Sequence, residues 1–227
     1  HSDFDAPVRQ LALEQLAAVL DHPMPKLNTV AIGCAFEPLI GKLFERYPEV
    51  LVRYRGQAQA RIVTNGYLLD KRDIGPWVNF GLEYLHVSLH SHIPEVYERT
   101  MQGAVRLPRV VSNLADARRR FPGLRLLLIN VVTKANNQDL AGYCRWAFEE
   151  LGADQIVLWR AEIATQPPPG SPAFHSPEIT LSDAEWAGVL RACAKFSPDP
   201  AYASVPALGT TISSMTLSRQ GQPAFRG

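Results

Sequence analysis

Cysteine is scarce in this chain, and what there is lies scattered. Cys34, Cys144 and Cys193 are the only three in 227 residues. They are too few and too widely spaced for a disulfide framework or a locally spaced metal motif, and they read as reduced, mostly buried thiols. Net charge is nearly absent as well. The 23 Lys and Arg offset 22 Asp and Glu to leave +1, which gives no reason to expect nucleic acid or a membrane surface as partner. No apolar run approaches the roughly 20 residues needed to span a bilayer. The polar, acidic start His1–Asp5 has no signal-peptide character, so a cytoplasmic location is expected. No G-x-G-x-x-G follows the first strand, which weakens a dinucleotide-binding reading. No internal repeat is visible beyond an alternation of elements.

What is present is an ordinary globular composition, 46% hydrophobic and 20% charged, enough for a sizeable core. Pro7 to Leu20 reads as an amphipathic helix, with Leu11, Leu13, Leu16, Ala17 and Leu20 on its apolar face. Thr29–Ile32 reads as a buried strand, and Leu39–Tyr47 as a helix stopped by Pro48. Ala60–Val63 is the next strand, followed by a helix near Asp70–Phe80. Tyr84–Leu89 is a strand, and Pro94–Thr100 and Pro108–Phe121 are helices. Leu124–Val132 is a long strand, Gln138–Leu151 a helix closed by Gly152, and Asp154–Trp159 a fifth strand. Such alternation implies a parallel sheet with right-handed crossovers, open or closed. The first element is a helix with no strand before it, so a barrel would lack its first strand here.

The style changes after Ala164. Residues 166–172 form a stiff proline-rich connection. Ser182–Lys195 is a helix opened by a capping box of Ser182 and Glu185. The stretch from Ser197 is expected to be partly disordered, with a possible strand at Thr210–Leu217. The domain expectation is therefore a core over 1–165 and a segment over 166–227 that packs on it or trails it.

In parallel α/β folds, ligands gather beyond the carboxyl ends of the strands. Those ends are Gly33-Cys34-Ala35-Phe36-Glu37-Pro38, then Thr64-Asn65-Gly66, then Ser88 to His92, then Thr133 to Asn137, and last Arg160 and Glu162. All five are polar or bear Gly, which suggests one polar pocket.

At these residues the chain resembles the radical S-adenosylmethionine superfamily, over about residues 27–160. Gly33 to Pro38 is similar to that family's Gly-Gly-Glu-Pro segment, although Cys34-Ala35-Phe36 stand where glycines usually precede Glu-Pro. Thr64-Asn65-Gly66-Tyr67-Leu68-Leu69 resembles its Thr-Asn-Gly-x-Leu-Leu. Val87-Ser88-Leu89 with Tyr97 and Gly103, Asn113-Leu114, and Val131 to Asn136 match later segments. The family's C-x3-C-x2-C loop is not here. In the family it precedes the helix that Pro7–Leu20 resembles, so the expectation is a chain that begins after it; a cluster-free relative is the alternative.

The resemblance implies a partial (β/α) barrel of TIM-barrel type. It also implies S-adenosylmethionine and a 4Fe-4S cluster with ligands upstream of His1, and an external electron donor. The substrate would be a small molecule or a peptide that loses a hydrogen to a 5′-deoxyadenosyl radical. The chain alone would be inactive. Cofactor contacts carried over are Gly33, Cys34, Ala35, Phe36 and Glu37 for the amino group, Asn65, Ser88 for the ribose or carboxylate, and Arg160 for the adenosyl group or substrate. No catalytic residue is assigned. Each has a plainer reading: Glu37 as a helix N-terminal acid, Asn65 as turn chemistry, Ser88 as a backbone-satisfied hydroxyl, Arg160 as a surface cation. Arg99, Arg106 and Arg109 are candidates for pairing with the cofactor's carboxylate. His86, His90 and His92 alternate and would share a face, as polar packing, substrate contacts or a metal site; no metal ligand is assigned. The rivals are a barrel lyase or isomerase relying on Lys134 and Glu162, and an inactive barrel that binds a ligand or partner.

Overall fold

A computed structural model describes residues 12–22, 27–33, 36–101, 105–161, 179–204 and 212–219. The chain forms two compact units. The first holds His1–His86 and Ser112–Arg125, the second Val87–Val111 and Leu126–Gly227.

In the first unit, helix α1 (Leu13–Asp21) precedes strand β1 (Thr29–Ile32). Strand β2 (Gln59–Thr64) pairs with β1 in parallel, with Ala31 opposite Arg61 and Ile32 opposite Ile62. Strand β3 (Leu82–Ser88) is the next neighbour of β2 and leaves the unit after His86. Between β1 and β2, the single expected helix is replaced by short 3-10 turns at Pro38–Ile40 and Phe44–Arg46, helix α2 (Tyr47–Leu51), and a 3-10 turn at Val52–Tyr54. Pro48, expected as a stop, lies inside the first turn of α2. There its missing N–H costs nothing, because first-turn amides have no intrahelical acceptor. Helix α3 (Gly75–Phe80) follows β2, and its fully buried Trp77 donates Nε1–H to the Phe44 carbonyl at 2.8 Å. Trp77 also packs edge-on to Phe80, which gives the unit an aromatic centre.

The second unit begins within β3. Helix α4 (Pro94–Met101) and helix α5 (Leu107–Arg120) follow, the latter passing back into the first unit from Ser112. Strand β4 (Arg125–Val132) pairs in parallel with β5 (Gln155–Arg160), and helix α6 (Leu140–Glu149) connects them. Helix α7 (Asp183–Ala194) leads to β6 (Ala201–Ser204) and β7 (Ile212–Ser218). Strand β7 pairs antiparallel with both β5 and β6. The stretch from Ser197 supplies β6 and β7, the latter matching the strand expected at Thr210–Leu217; residues 205–211 and 220–227, where the expected disorder would fall, lie outside the described residues. The Pro-rich connection at 166–172 lies outside the described residues.

The fold is α/β with mostly parallel strands. Among the described residues the strand order runs from β1 beside β2 to β6 beside β7, an open order consistent with a partial α/β barrel. Among the described residues, no helix is long and apolar enough to cross a membrane.

Candidate functional site

The two strand ends of the first unit meet at one carboxylate. Glu37 Oε1 accepts from Thr64 Oγ1 at 2.7 Å and from Leu39 N at 3.1 Å, and Oε2 accepts from Asn65 N at 2.8 Å. A carboxylate has about four acceptor positions, so the chain's own donors take three of them. The bonds to an anion are stronger than neutral ones. They tie the loop after β1 to the end of β2. The reading of Glu37 as a helix N-terminal acid is also realised, since it caps the 3-10 turn through Leu39 N.

Gly33 makes this junction possible. Its φ is +98°, and a Cβ there would lie 2.2 Å from the Val63 carbonyl oxygen. No other residue fits that close approach. Cys34 and Ala35 lie outside the described residues, and Phe36 is 55% exposed beside the junction. Downstream, Arg72 donates Nε–H to Leu39 O at 2.7 Å and holds the 3-10 turn from below.

Asn65 sits half-buried at the head of a tight turn. Its Oδ1 accepts from Tyr67 N at 2.9 Å, and Gly66 N donates to Thr64 Oγ1 at 3.0 Å. The turn-chemistry reading of Asn65 is therefore present in full, and its amide Nδ2 remains as the donor side. Asn113, noted in the sequence only as part of a motif, reaches the same turn from α5. Its Nδ2 donates to Gly66 O and Tyr67 O, each at 3.0 Å. No sequence signal short of that motif points to this bond.

The second unit has a knot of its own, centred on Asn136. Its Nδ2 donates to His90 O at 2.9 Å, Val131 O at 3.0 Å and Asn130 Oδ1 at 3.1 Å. Its Oδ1 accepts from Thr133 N at 2.7 Å and Thr133 Oγ1 at 3.1 Å. His90 Nδ1 accepts from Val131 N at 3.1 Å, which makes Nε2 the protonated nitrogen of the neutral ring. Burial lowers the His90 pKa to about 4. Tyr143 donates its buried hydroxyl to Leu89 O at 2.8 Å, and burial raises its pKa well above the usual phenol value. The cavity among His90, His92, Asn136, Asp139 and Tyr143 is only about 10 Å³, room for about one water. The knot fixes the loops around this small cavity.

Ser88 is the half-buried last residue of β3. Arg160 ends β5 with its guanidinium turned to the start of α7. It donates to Leu181 O and to Asp183 Oδ1, both at 2.6 Å. Arg106 pairs with Glu98 at 2.8 Å. The three histidines do not share a strand face, because β3 ends at Ser88 and leaves His90 and His92 beyond it. His86 is buried within the strand, and burial and the nearby Arg61 charge lower its pKa to about 3. His92 faces Asp139 at 3.6 Å and lies against the Tyr143 and Trp146 rings. Among the described residues, no group of three His, Cys, Asp or Glu stands together as a metal site. Lys134, half of the rival lyase pair, donates its backbone N–H to Ile179 O at 2.9 Å; Glu162 lies outside the described residues.

Cys144 and Cys193 are both buried and free. They are distant in sequence yet hydrogen-bonded to each other across α6 and α7. That bond leads the causes that raise the Cys144 pKa and lower that of Cys193. Each thiol serves as packing. A shallow groove of about 460 Å³ runs past Gly81, Leu82, Glu83, Phe121 and Gly123. It lies at the starting end of β3, where parallel folds place stability and not chemistry.

No protein-family model matches the chain, and no curated protein matches it. Solved structures do. "Structure of TYW1 with a lysine-pyruvate adduct bound" superposes with a TM-score of 0.56 at 13% identity, covering 86% of this chain and 58% of that one. "Crystal structure of archaeal TYW1" gives 0.55 at 13%, covering 87% and 58%. TYW1 is a radical S-adenosylmethionine enzyme. At this identity the likeness is one of fold, and the chain spans 58% of the length of these neighbours.

Proposed function

We propose that this chain is the S-adenosylmethionine-binding portion of a radical S-adenosylmethionine enzyme. The observation that carries the reading is the Glu37 junction. One carboxylate fastens the loop after β1 to the Asn65 turn after β2, so that loop and turn are held side by side at the carboxyl ends of two parallel strands. The fold shared with TYW1 supports it.

The residues present do not fit the iron–sulfur cluster. Cys144 and Cys193 are buried against one another, and no third thiol stands with them among the described residues. No step is therefore assigned here to a cluster. For S-adenosylmethionine, the Glu37 junction and the Asn65 amide of the first unit support the reading. The backbone over Gly33, Cys34, Ala35 and Phe36 would meet the amino group, as the resemblance implies, and Glu37 is the brace that fastens its own position to Leu39, Thr64 and Asn65. The Asn65 amide would donate to an acceptor on the cofactor. The cofactor, once reduced, supplies hydrogen-atom abstraction; the protein's share is binding, orientation and exclusion of water. The substrate is a small molecule or a peptide, and an external donor supplies the electron.

The test uses the product of the complete gene. Anaerobic reconstitution with iron and sulfide is expected to give a brown protein that cleaves S-adenosylmethionine to 5′-deoxyadenosine and methionine under reduction. A colourless product that neither binds nor cleaves S-adenosylmethionine overturns the reading.

A further inference from the structure

The Asn65 turn is held from three sides. Thr64 Oγ1 takes the Gly66 N–H at 3.0 Å, Glu37 takes the Asn65 N–H at 2.8 Å, and Asn113 donates to the carbonyls of Gly66 and Tyr67 at 3.0 Å each. The first two come from the strand ends themselves. Asn113 comes from α5, forty-six or forty-seven positions along the chain from those carbonyls, and it is only 5% exposed. A buried amide that places both hydrogens on one turn is aimed at that turn.

The consequence falls on Asn65. Its carboxamide oxygen accepts the Tyr67 N–H at 2.9 Å, so its NH2 group takes the opposite edge and is the side offered outward. A half-turn of that amide would set NH2 against N–H. The orientation therefore lasts only while the Tyr67 N–H stays where it is. The Gly66 peptide plane controls that position, because its carbonyl and the Tyr67 N–H belong to the same plane. Gly66, at φ +75°, is the residue at which such a plane turns most readily. Asn113 grips the oxygen of this plane.

We propose that Asn113 is a positioning residue: it locks the Gly66–Tyr67 peptide plane and thereby fixes the Asn65 NH2 as the donor to S-adenosylmethionine. This rests on the cofactor reading of the site above.

The experiment compares wild type, Asn65→Ala, Asn113→Ala, Asn113→Ser and the Asn65→Ala/Asn113→Ala double variant of the complete gene product. Calorimetric titration with S-adenosylmethionine reads affinity, and amide hydrogen exchange reads the Tyr67 N–H against β2 amides as internal controls. Expected results are a loss of about tenfold in affinity for Asn113→Ala, from a coupling typical of residues sharing one network. Asn113→Ser, which keeps one donor, falls between. The double variant binds no more weakly than Asn65→Ala alone. Exchange at Tyr67 rises in Asn113→Ala while the β2 amides hold. Full additivity of the two losses overturns the proposal, as does unchanged affinity in Asn113→Ala or unchanged exchange at Tyr67. A wild type that does not bind S-adenosylmethionine overturns the cofactor reading and the proposal with it, whereas the other failures strike the proposal alone. Asn113→Ser keeps the test open should Asn113→Ala fold poorly.

Discussion

In the first unit three donors, Leu39 N, Thr64 Oγ1 and Asn65 N, converge on the carboxylate of Glu37. In the second, three acceptors, His90 O, Val131 O and Asn130 Oδ1, converge on the amide nitrogen of Asn136. Both knots tie one strand end to the next loop, but their polarity is reversed. An anion satisfies the first and cannot be tolerated at the second. The first also borders an exposed aromatic, Phe36, and a turn with its amide donor outward. The second surrounds a cavity fit for about one water. The comparison teaches that strand-end polarity alone does not identify a binding site. What separates the two is whether the knot leaves a group facing out.

The strongest way to break this comparison is to give the second knot the first one's charge. Asn136→Asp sets a carboxylate against three acceptors in a buried setting. It should cost about 4 kcal/mol, since an uncompensated buried charge is among the costliest single changes. Urea unfolding at neutral pH measures it. A loss below about 1 kcal/mol would mean that the loop rearranges and the knot is not holding it.

Acid should separate the units next. His86 in the first has its pKa lowered to about 3, and His90 in the second to about 4, in both cases chiefly by burial. Each is neutral when folded, while the unfolded chain protonates near 6.5. The unfolded state thus binds more protons below 6.5, so the stability these groups confer is complete above that pH and is lost as pH falls. For His90 the loss reaches about 3 kcal/mol by pH 4 and then stops. For His86 it continues to pH 3. His90→Asn keeps an acceptor for Val131 N and should flatten the slope between pH 6.5 and 4 while leaving the slope from 4 to 3. Urea melts in half-unit pH steps decide it; an unchanged upper slope would show that His90 charges freely.

The converse exchange at the first knot is milder. Glu37→Gln keeps one oxygen but turns an NH2 toward the donors Asn65 N or Leu39 N. A loss of about 2 kcal/mol is expected from the weakened charge-assisted bonds and one unsatisfied donor. The same melts apply. In the complete gene product, S-adenosylmethionine affinity should fall along with stability; retention of both would remove Glu37 as the brace.

The sequence exposed the knots unequally. Strands β1 to β5 are legible because their apolar runs are bounded by Gly, Asn or Pro, and parallel pairing then places neighbouring strand ends together. That much brings Glu37 near Asn65. The helix over Leu39–Tyr47 misled, because Pro48 signals a stop and a first turn with equal force and only the packing around Phe44 and Trp77 chooses. Strand β6 carries too short a pattern to register, and its partner β7 lies beyond residues 205–211. The roles of Asn113 and Asn136, and the meeting of Cys144 with Cys193, depend on contacts over long chain separations or on side-chain-to-backbone bonds. Neither leaves a periodic trace in the chain.

The smallest effects make a matched pair at two helix starts. In the second unit, α7 opens with a complete capping box. Ser182 Oγ accepts from Glu185 N at 3.3 Å, and Glu185 Oε2 accepts from Ser182 N at 2.7 Å. In the first unit, α1 opens with half of one. Gln15 Oε1 accepts from Ala12 N at 3.0 Å, but Ala12 has no oxygen to return the bond. Its backbone already adopts the extended N-cap geometry, φ −67° and ψ 152°, close to that of Ser182 at −65° and 164°. Ser182→Ala should therefore cost about 1 kcal/mol, and Ala12→Ser should gain about half to all of that. Each is read as a shift of the urea midpoint at constant m-value. The two changes act on the same missing or present oxygen, so their opposite signs test one cause. If Ala12→Ser gains nothing while Ser182→Ala costs what is expected, the start of α1 frays in solution and its cap has no helix to hold.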